Sequence, residues 1–368
     1  MDLQGRDAVT SVRVLALPRY GVLGASSRMR LYQYLPVLEQ AGLRVEVQPL
    51  FDDAALSVRY LTGRYGFLSV LQCYASRVLS LTRAKQFDLI WIEKEALPWW
   101  PQWFELTLLH GTPYVLDFDD AVFHNYDQHR LGLVRHLYGR RLDGLMARAA
   151  LVIGGNDYLT SRAKRAGAPR VEVLPTVIDL ERYSGSRTAK QEADDLPRII
   201  WIGSPSTARY LELLREPLQS LSLRVPFVLR VIGADVDLPG VKMECVQWTQ
   251  ATEVASISDG TVGVMPLLDS AWERGKCGYK LIQYMACGLP VVASPVGVNT
   301  EIVEDGANGF LADTAEDWAT ALERLLTDAE LCSRMGREGR QRVESRYCLQ
   351  VTGPRIAELL NQAAKRSV

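Results

Sequence analysis

Residues 273–298, ERGKCGYKLIQYMACGLPVVASPVGV, constrain what this chain can fold into more than any other stretch. A glycine-punctuated loop, Gly275-Lys276-Cys277-Gly278, runs into an apolar segment of helical length at 279–287. After Gly288 and Pro290 comes an all-apolar buried strand at 291–293. Loop, helix and buried strand in that order belong to a parallel sheet, where helices cross over between strands. A glycine loop opening a helix presents backbone N–H groups and the positive end of the helix dipole, which suits a phosphate. Lys276 and Lys280, four apart, would bring positive charge to the same place. The plainer reading of these residues is a βαβ connection carrying two surface lysines.

The first half of the chain carries its own α/β pattern. A short apolar run at 12–17 predicts a strand, and a loop follows at 18–27. Met29, Leu31, Leu35 and Leu38 fall at helical spacing up to Gly42, and 45–50 predicts a second strand. The loop GVLGASSRMR lacks the third glycine of GxGxxG, and no acid ends the second strand, so a dinucleotide site is not expected. Ser26, Ser27, Arg28 and Arg30 stand where the first helix begins, so an anionic group docks there unless the arginines are simply solvated.

Residues 57–86 predict a long helical stretch in which aromatic and aliphatic residues alternate with arginines. It rests on an anionic bilayer or packs one face into the core. Strands predicted at 88–92 and 113–118 run straight into Glu93-Lys94-Glu95 and Asp119-Asp120. Those acids lie at the rim where α/β folds place their chemistry. The sequence DFDD also contains a DxD, which suggests a metal-binding motif or a phosphatase-like nucleophile pair, Asp117-x-Asp119. The second idea wants a threonine where Ala121 stands. The basic segment 129–148 is expected to be mostly surface helix, and strands at 151–153 and 171–174 complete the sheet.

The stretch SGSRTAKQEADDLP, which begins at Ser184, is polar and turn-rich, and 186–196 is expected to be a linker. A second pattern then restarts. A strand at 199–202 ends in Gly203-Ser204-Pro205-Ser206-Thr207, where Ser206 or Thr207 would cap the next helix. Further strands are predicted at 228–232, 243–246 and 262–265, and a helix, turn and strand span 301–311. Helices around Trp318 and Met335 and a last one at 356–363 close the chain. The domains expected are 1–185, the linker 186–196, 197–348, and a C-terminal helix in 349–368 that packs back on the first domain. Two α/β halves of this kind predict a cleft between facing carboxyl edges, a natural site for a two-substrate transfer that excludes water.

Composition narrows the classes. At 368 residues, 48% hydrophobic and 23% charged, the chain reads as a soluble protein of two ordinary domains. No apolar run reaches about 18 residues, so no membrane span is expected. The opening MDLQGRDAV has no apolar core, so no signal peptide is expected either. Six scattered cysteines without a CxxC pair fit a reducing cytosol and argue against structural zinc. The four histidines, all between 110 and 136, have no ligand spacing, so no metal is assigned. A net charge of −1 disfavours nucleic-acid binding.

Residues 285–326, MACGLPVVASPVGVNTEIVEDGANGFLADTAEDWATALERLL, closely follow the pattern EAMAxGxPVVAS…GGxxEIVxxGxNGFLV. VEVLPTVIDLERY at 171–183 echoes VxVIPNGVDxxRF. On these motifs the chain resembles the GT-B glycosyltransferases, specifically glycosyltransferase family 4, most strongly over 257–345. The resemblance implies an α/β architecture of two Rossmann-like parallel-sheet domains facing each other across a cleft. It implies a C-terminal half that binds a nucleoside-diphosphate sugar, UDP- or GDP-linked, as co-substrate with no other cofactor. The N-terminal half would take a glycan or lipid-linked acceptor.

The family's two glutamates fall here on Gly275 and Gln283. The glutamine amide still suits ribose hydroxyls, and Glu273 is the candidate to replace the first acid. The family's arginine position is Ser204, and its lysine position falls near Tyr210, beside Arg209. Gly203, Ser204, Ser206, Thr207, Arg209, Lys276, Cys277, Gly278, Lys280 and Gln283 are therefore the donor candidates. A family histidine near the sugar matches Asp119. Asp119, Asp120 and Glu273 are the catalytic candidates, and Ser27, Arg28, Arg30, Glu93 and Glu95 the acceptor or phosphate candidates. The implied reaction is a retaining, metal-independent sugar transfer to an acceptor hydroxyl in glycan, polysaccharide or glycolipid synthesis. It would take place in the cytoplasm or at the inner face of the membrane. A GT-B nucleotide-sugar epimerase and a noncatalytic nucleotide-sugar binder remain as alternatives.

Overall fold

The computed structural model describes residues 11–184 and 196–365. The expectations for the first nine residues and for most of the linker lie outside the described residues. Among the described residues, twelve strands form two parallel sheets of six. The first holds β1 (Val12–Leu17), β2 (Leu43–Val47), β3 (Leu89–Glu93), β4 (Tyr114–Phe118), β5 (Leu151–Gly154) and β6 (Val171–Val173), in the order β2-β1-β3-β4-β5-β6. The second holds β7 (Arg198–Ile202), β8 (Val228–Ile232), β9 (Met243–Val246), β10 (Val262–Met265), β11 (Val291–Ala293) and β12 (Gly309–Leu311), in the order β12-β11-β10-β7-β8-β9.

Parallel strands with helices on both faces must be apolar on both faces, which is why they read as unbroken hydrophobic runs. In β7, Ile199 and Trp201 join one core layer with Leu229, Val231 and Leu322. Ile200 and Ile202, pointing the other way, join Tyr284 and Met285. β2 starts two residues before its expected beginning because buried Leu43 pairs with Val12.

The chain divides into two compact units. One runs to Pro175 and takes in the residues from Thr352 onward; the other is Thr176–Val351. The division precedes residue 185 because Ile178 bridges to Cys348 and buried Tyr183 donates to Glu253, all within the second unit. The C-terminal residues join the first unit through the pairing of the Tyr34 and Thr352 hydroxyls, 3.1 Å apart, and Arg355 on Glu172.

One expectation about the helices needs correction. The stretch 57–86 is two helices, Asp53–Thr62 and Phe67–Thr82, because Gly63 turns left-handed at φ 76° and ends the first. The segment 129–148 is mostly surface, as expected, and its helix Gly132–Tyr138 buries none of its residues, while the helix Arg141–Met146 turns Leu142, Leu145, Met146 and Arg141 itself inward.

Strand order decides where loops can build a site. In an open parallel sheet the crevice lies past the carboxyl ends of the strands, where the order reverses. That point falls between β1 and β3 in the first sheet and between β7 and β10 in the second.

Candidate functional site

In the second unit the loops after β7 and β10 carry the donor candidates. Gly278 sits at φ 64°, and a Cβ there would lie 2.3 Å from Ile302 Cδ1. Only glycine meets both demands without strain. It opens the helix Tyr279–Ala286, whose positive dipole end therefore lies at the rim. Gly278→Ala is expected to cost about 1–3 kcal/mol, seen as a lowered denaturant midpoint. An unchanged midpoint would show that the turn tolerates a side chain.

Lys280 Nζ stands 5.7 Å from the centroid of the Trp201 ring, a cation–π contact. The far edge of the same ring occupies the space a side chain at Gly203 would need. Trp201 therefore links Lys280 to the β7 loop. Glu273 is buried and accepts from the Tyr210 and Ser270 hydroxyls, with Arg209 Nη2 3.7 Å away. Burial alone would raise this carboxyl, but the Ser270 and Tyr210 donors and nearby Lys276 outweigh it and hold Glu273 below the usual range. Arg209 itself is exposed and lies over the Tyr210 ring.

The structure thus gathers Gly203, Arg209, Glu273, Lys276, Gly278 and Lys280 at one switch point. Cys277 is buried in the same loop. The β7 turn closes on itself: Ser204 Oγ lies 2.9 Å from Ser206 Oγ, and Thr207 Oγ1 donates back to the Ser204 carbonyl. The expected side-chain cap on the following helix does not form, because the Thr207 hydroxyl is used within the turn. Gln283 is buried, and its side chain meets the Tyr183 hydroxyl.

The first unit holds a second constellation past β3 and β4. Glu93 accepts from Ser27 Oγ at 2.5 Å and from the Arg19 N–H at 2.9 Å. Ser26 Oγ lies 2.7 Å from Glu93 Oε1 and 2.5 Å from Asp119 Oδ2, and its single proton serves one carboxylate at a time. Lys94 Nζ stands 2.9 Å from Asp119 Oδ1 and 3.5 Å from Glu93 Oε1, and donates to Ser26 Oγ.

Lys94 is the residue that sequence reasoning passed over. It is 5% exposed and left-handed at φ 65°, a conformation that costs a non-glycine residue of order 1–3 kcal/mol. Its one sequence signal is a lysine set between two glutamates directly past a strand end. Burial works against its charge, but Asp119, Glu93 and Asp120 together hold the ammonium firmly charged. Burial likewise opposes charge on Asp119, yet Lys94, the Ser26 hydroxyl and Arg30 keep its carboxyl below the usual range. Neither Asp119 nor Asp120 caps the helix His124–Asp127, whose N-cap position is Phe123.

The remaining candidates serve the framework. Arg30 is buried, with Nη2 2.6 Å from Asp117 Oδ1, and donates to the Leu174 carbonyl. From the end of the helix Ala25–Arg30 its guanidinium turns inward onto Asp117, a buried carboxylate of β4. Burial raises Asp117 to about 6 even with Arg30 beside it, which sets it apart from a phosphatase-type nucleophile. Arg28 is also buried and donates to the Val22 carbonyl. Glu95 lies in a separate network, 2.5 Å from Arg141 and 3.3 Å from Arg19, and accepts from the Tyr126 hydroxyl.

Residues 196–328 match the family described as Glycosyl transferases group 1. A D-inositol 3-phosphate glycosyltransferase of Corynebacterium aurimucosum is 28% identical over 236 residues, covering 58% of this chain and 50% of that protein. A GDP-mannose-dependent alpha-(1-6)-phosphatidylinositol monomannoside mannosyltransferase of Mycolicibacterium smegmatis is 26% identical over 250 residues, covering 59% of this chain and 65% of that protein. The chain thus spans less than two thirds of the length of these relatives. Sucrose-phosphate synthase from Thermosynechococcus elongatus superposes with a TM-score of 0.71 at 17% identity, covering 95% of this chain and 98% of that one. Anabaena HepE, solved in complex with UDP, gives 0.69 at 16% identity, covering 95% and 100%.

Proposed function

Because the chain carries a glycosyl transferases group 1 domain and has the GT-B glycosyltransferase fold, we propose that it transfers a sugar from a nucleoside-diphosphate sugar to an acceptor hydroxyl. The observation that carries this reading is the convergence of Arg209, Lys276, Lys280 and a glycine-led helix N-terminus at the second sheet's switch point. A leaving nucleoside diphosphate develops negative charge, and positioned cations with a helix dipole stabilise it. In this reading the chain's own cations take the place of a metal on the diphosphate, and retention at the anomeric carbon is carried over from the resemblance to glycosyltransferase family 4. Support for a UDP- or GDP-linked donor comes from HepE, solved with UDP, and from the GDP-mannose-dependent mannosyltransferase.

Glu273 is tied to Tyr210 and Ser270, so its role is to position Arg209 and the loop beside the donor. On the acceptor side, Asp119 stays ionised beside Lys94 and Asp120 is half-buried. These two carboxylates hold a sugar hydroxyl or take the acceptor's proton. Incubation with UDP- and GDP-sugars tests the reading. A transferase releases free nucleoside diphosphate, slowly even to water, and keeps doing so in the presence of a chelator. A binder releases none, and an epimerase interconverts sugar isomers instead; either result would sink the proposal. Asp119→Asn with intact turnover would remove that carboxylate from the reaction.

A further inference from the structure

The helix Phe67–Thr82 is apolar on two sides. The side it turns inward carries Val70, Cys73, Tyr74 and Leu81 around Arg77, which is 2% exposed. That guanidinium donates to the carbonyls of Pro18, Gln48 and Ala96, so a polar anchor fixes the helix to the loops after β1, β2 and β3. The outward side carries Leu68, Leu71, Ala75 and Leu79, spaced three or four apart along one face. Phe67 is 76% and Leu68 72% exposed, and on the preceding helix Leu61 is 87% exposed. Trp103, 68% exposed, begins the helix Gln102–Leu109 that packs on this one, through ring contacts from Tyr74 to Trp100 to Phe104. Single exposed leucines are ordinary; a row of them on one helix face is not.

Charge identifies the occupant. No Asp or Glu occurs between residues 54 and 87. Arg59 and Arg64 are exposed cations in and just after the helix Asp53–Thr62, and Arg83, at the end of the helix Phe67–Thr82, is shared with Glu46. Acids sit at one end of this surface, at Asp52 and Asp53, and at Glu46 beside Arg83, but the stretch from 54 to 87 carries cations alone. An apolar stripe with that charge suits an interface that is greasy inside and anionic at its surface. We infer that the helices Asp53–Thr62 and Phe67–Thr82 form a docking surface for an anionic lipid bilayer. The leucine row enters the headgroup boundary and the arginines meet the lipid charges. The surface stands on its own geometry and rests on the sugar-transfer reading only in favouring a lipid-linked acceptor. Among the described residues no helix is long and apolar enough to cross a membrane, so the contact is peripheral.

The test is co-sedimentation of the full chain with phosphatidylcholine vesicles, with and without phosphatidylglycerol, across a salt series. Binding is expected to need the anionic lipid and to weaken as salt rises. Arg59→Gln with Arg64→Gln is expected to lower partitioning roughly thirtyfold, and Leu68→Ser with Leu71→Ser with Leu79→Ser to abolish it. Equal binding to neutral vesicles, or binding untouched by both sets, would overturn the proposal. Self-association that the serine set abolishes would assign the face to a second copy and overturn it as well. Nucleoside-diphosphate release measured on the same proteins separates the two ideas. Lost vesicle binding with normal release concerns only the docking surface, and absent release with intact vesicle binding concerns only the sugar transfer.

Discussion

Lys276→Ala and Lys280→Ala are each expected to slow nucleoside-diphosphate release by about 10²–10³-fold, the usual cost of removing one positioned donor from a developing anion. Stability should hardly move. Lys276 is half-buried in the loop, and Lys280 gives up a cation–π contact with Trp201 worth about 0.5–1 kcal/mol. Release assays with UDP- and GDP-sugars, run beside thermal melts, separate the two effects. Near-normal release in both variants would take the lysines out of the donor site. A loss of release that tracks a fall in melting temperature would make them structural.

Lys94→Met should do the opposite and show first in stability. Its ammonium is 2.9 Å from Asp119 and 3.5 Å from Glu93, with all three side chains largely buried. Removing one partner of a buried pair leaves a carboxylate without its counter-charge, which typically costs about 3–5 kcal/mol. The pH dependence has a definite sign. In the wild type Asp119 lies below its ordinary range, so its contribution is present at neutral pH and fades as pH falls through that lowered value. Without Lys94, burial dominates and Asp119 takes up its proton at higher pH, and a neutral carboxyl needs no partner. The deficit of Lys94→Met should therefore be largest near neutral pH and shrink on acidification. Adding Asp119→Asn should restore part of the loss, because the two sites share one interaction. Additive losses at every pH would show that the pair is not coupled.

Much of the fold was legible because parallel strands covered on both faces must be written as continuous apolar runs. β3 and β7 announce themselves in this way, and β4 and β8 do so with one interruption each, Asp117 and Arg230; the carboxyl ends of β3, β4 and β7 then place Glu93, Asp119 and Gly203 at a rim. The glycine turn at 275–278 was legible from its residues alone, and the structure adds the reason no side chain fits at Gly278: its φ of 64° and Ile302 packed against it. Arg28 and Arg30 were not legible. An arginine on a first helical turn carries no local sign of facing inward, and Asp117, which takes Arg30, is 87 residues away. The outward leucines of Phe67–Thr82 were equally hidden, because periodicity shows that a helix has two faces but not which one is buried.

The sequence by itself determined the two parallel α/β patterns, the glycine turn before the helix Tyr279–Ala286 and the acids at the strand ends. Each follows from the residues within a few positions: hydrophobic period, glycine backbone freedom, and the position of a loop just past a strand. The tertiary structure decided what those acids and bases do. It paired Lys94 with Asp119, tied Glu273 to Tyr210 and Ser270, and brought Lys280 to Trp201. A buried charge takes its state from neighbours remote in the chain, because away from water only a partner within a few ångströms offsets the cost of burial.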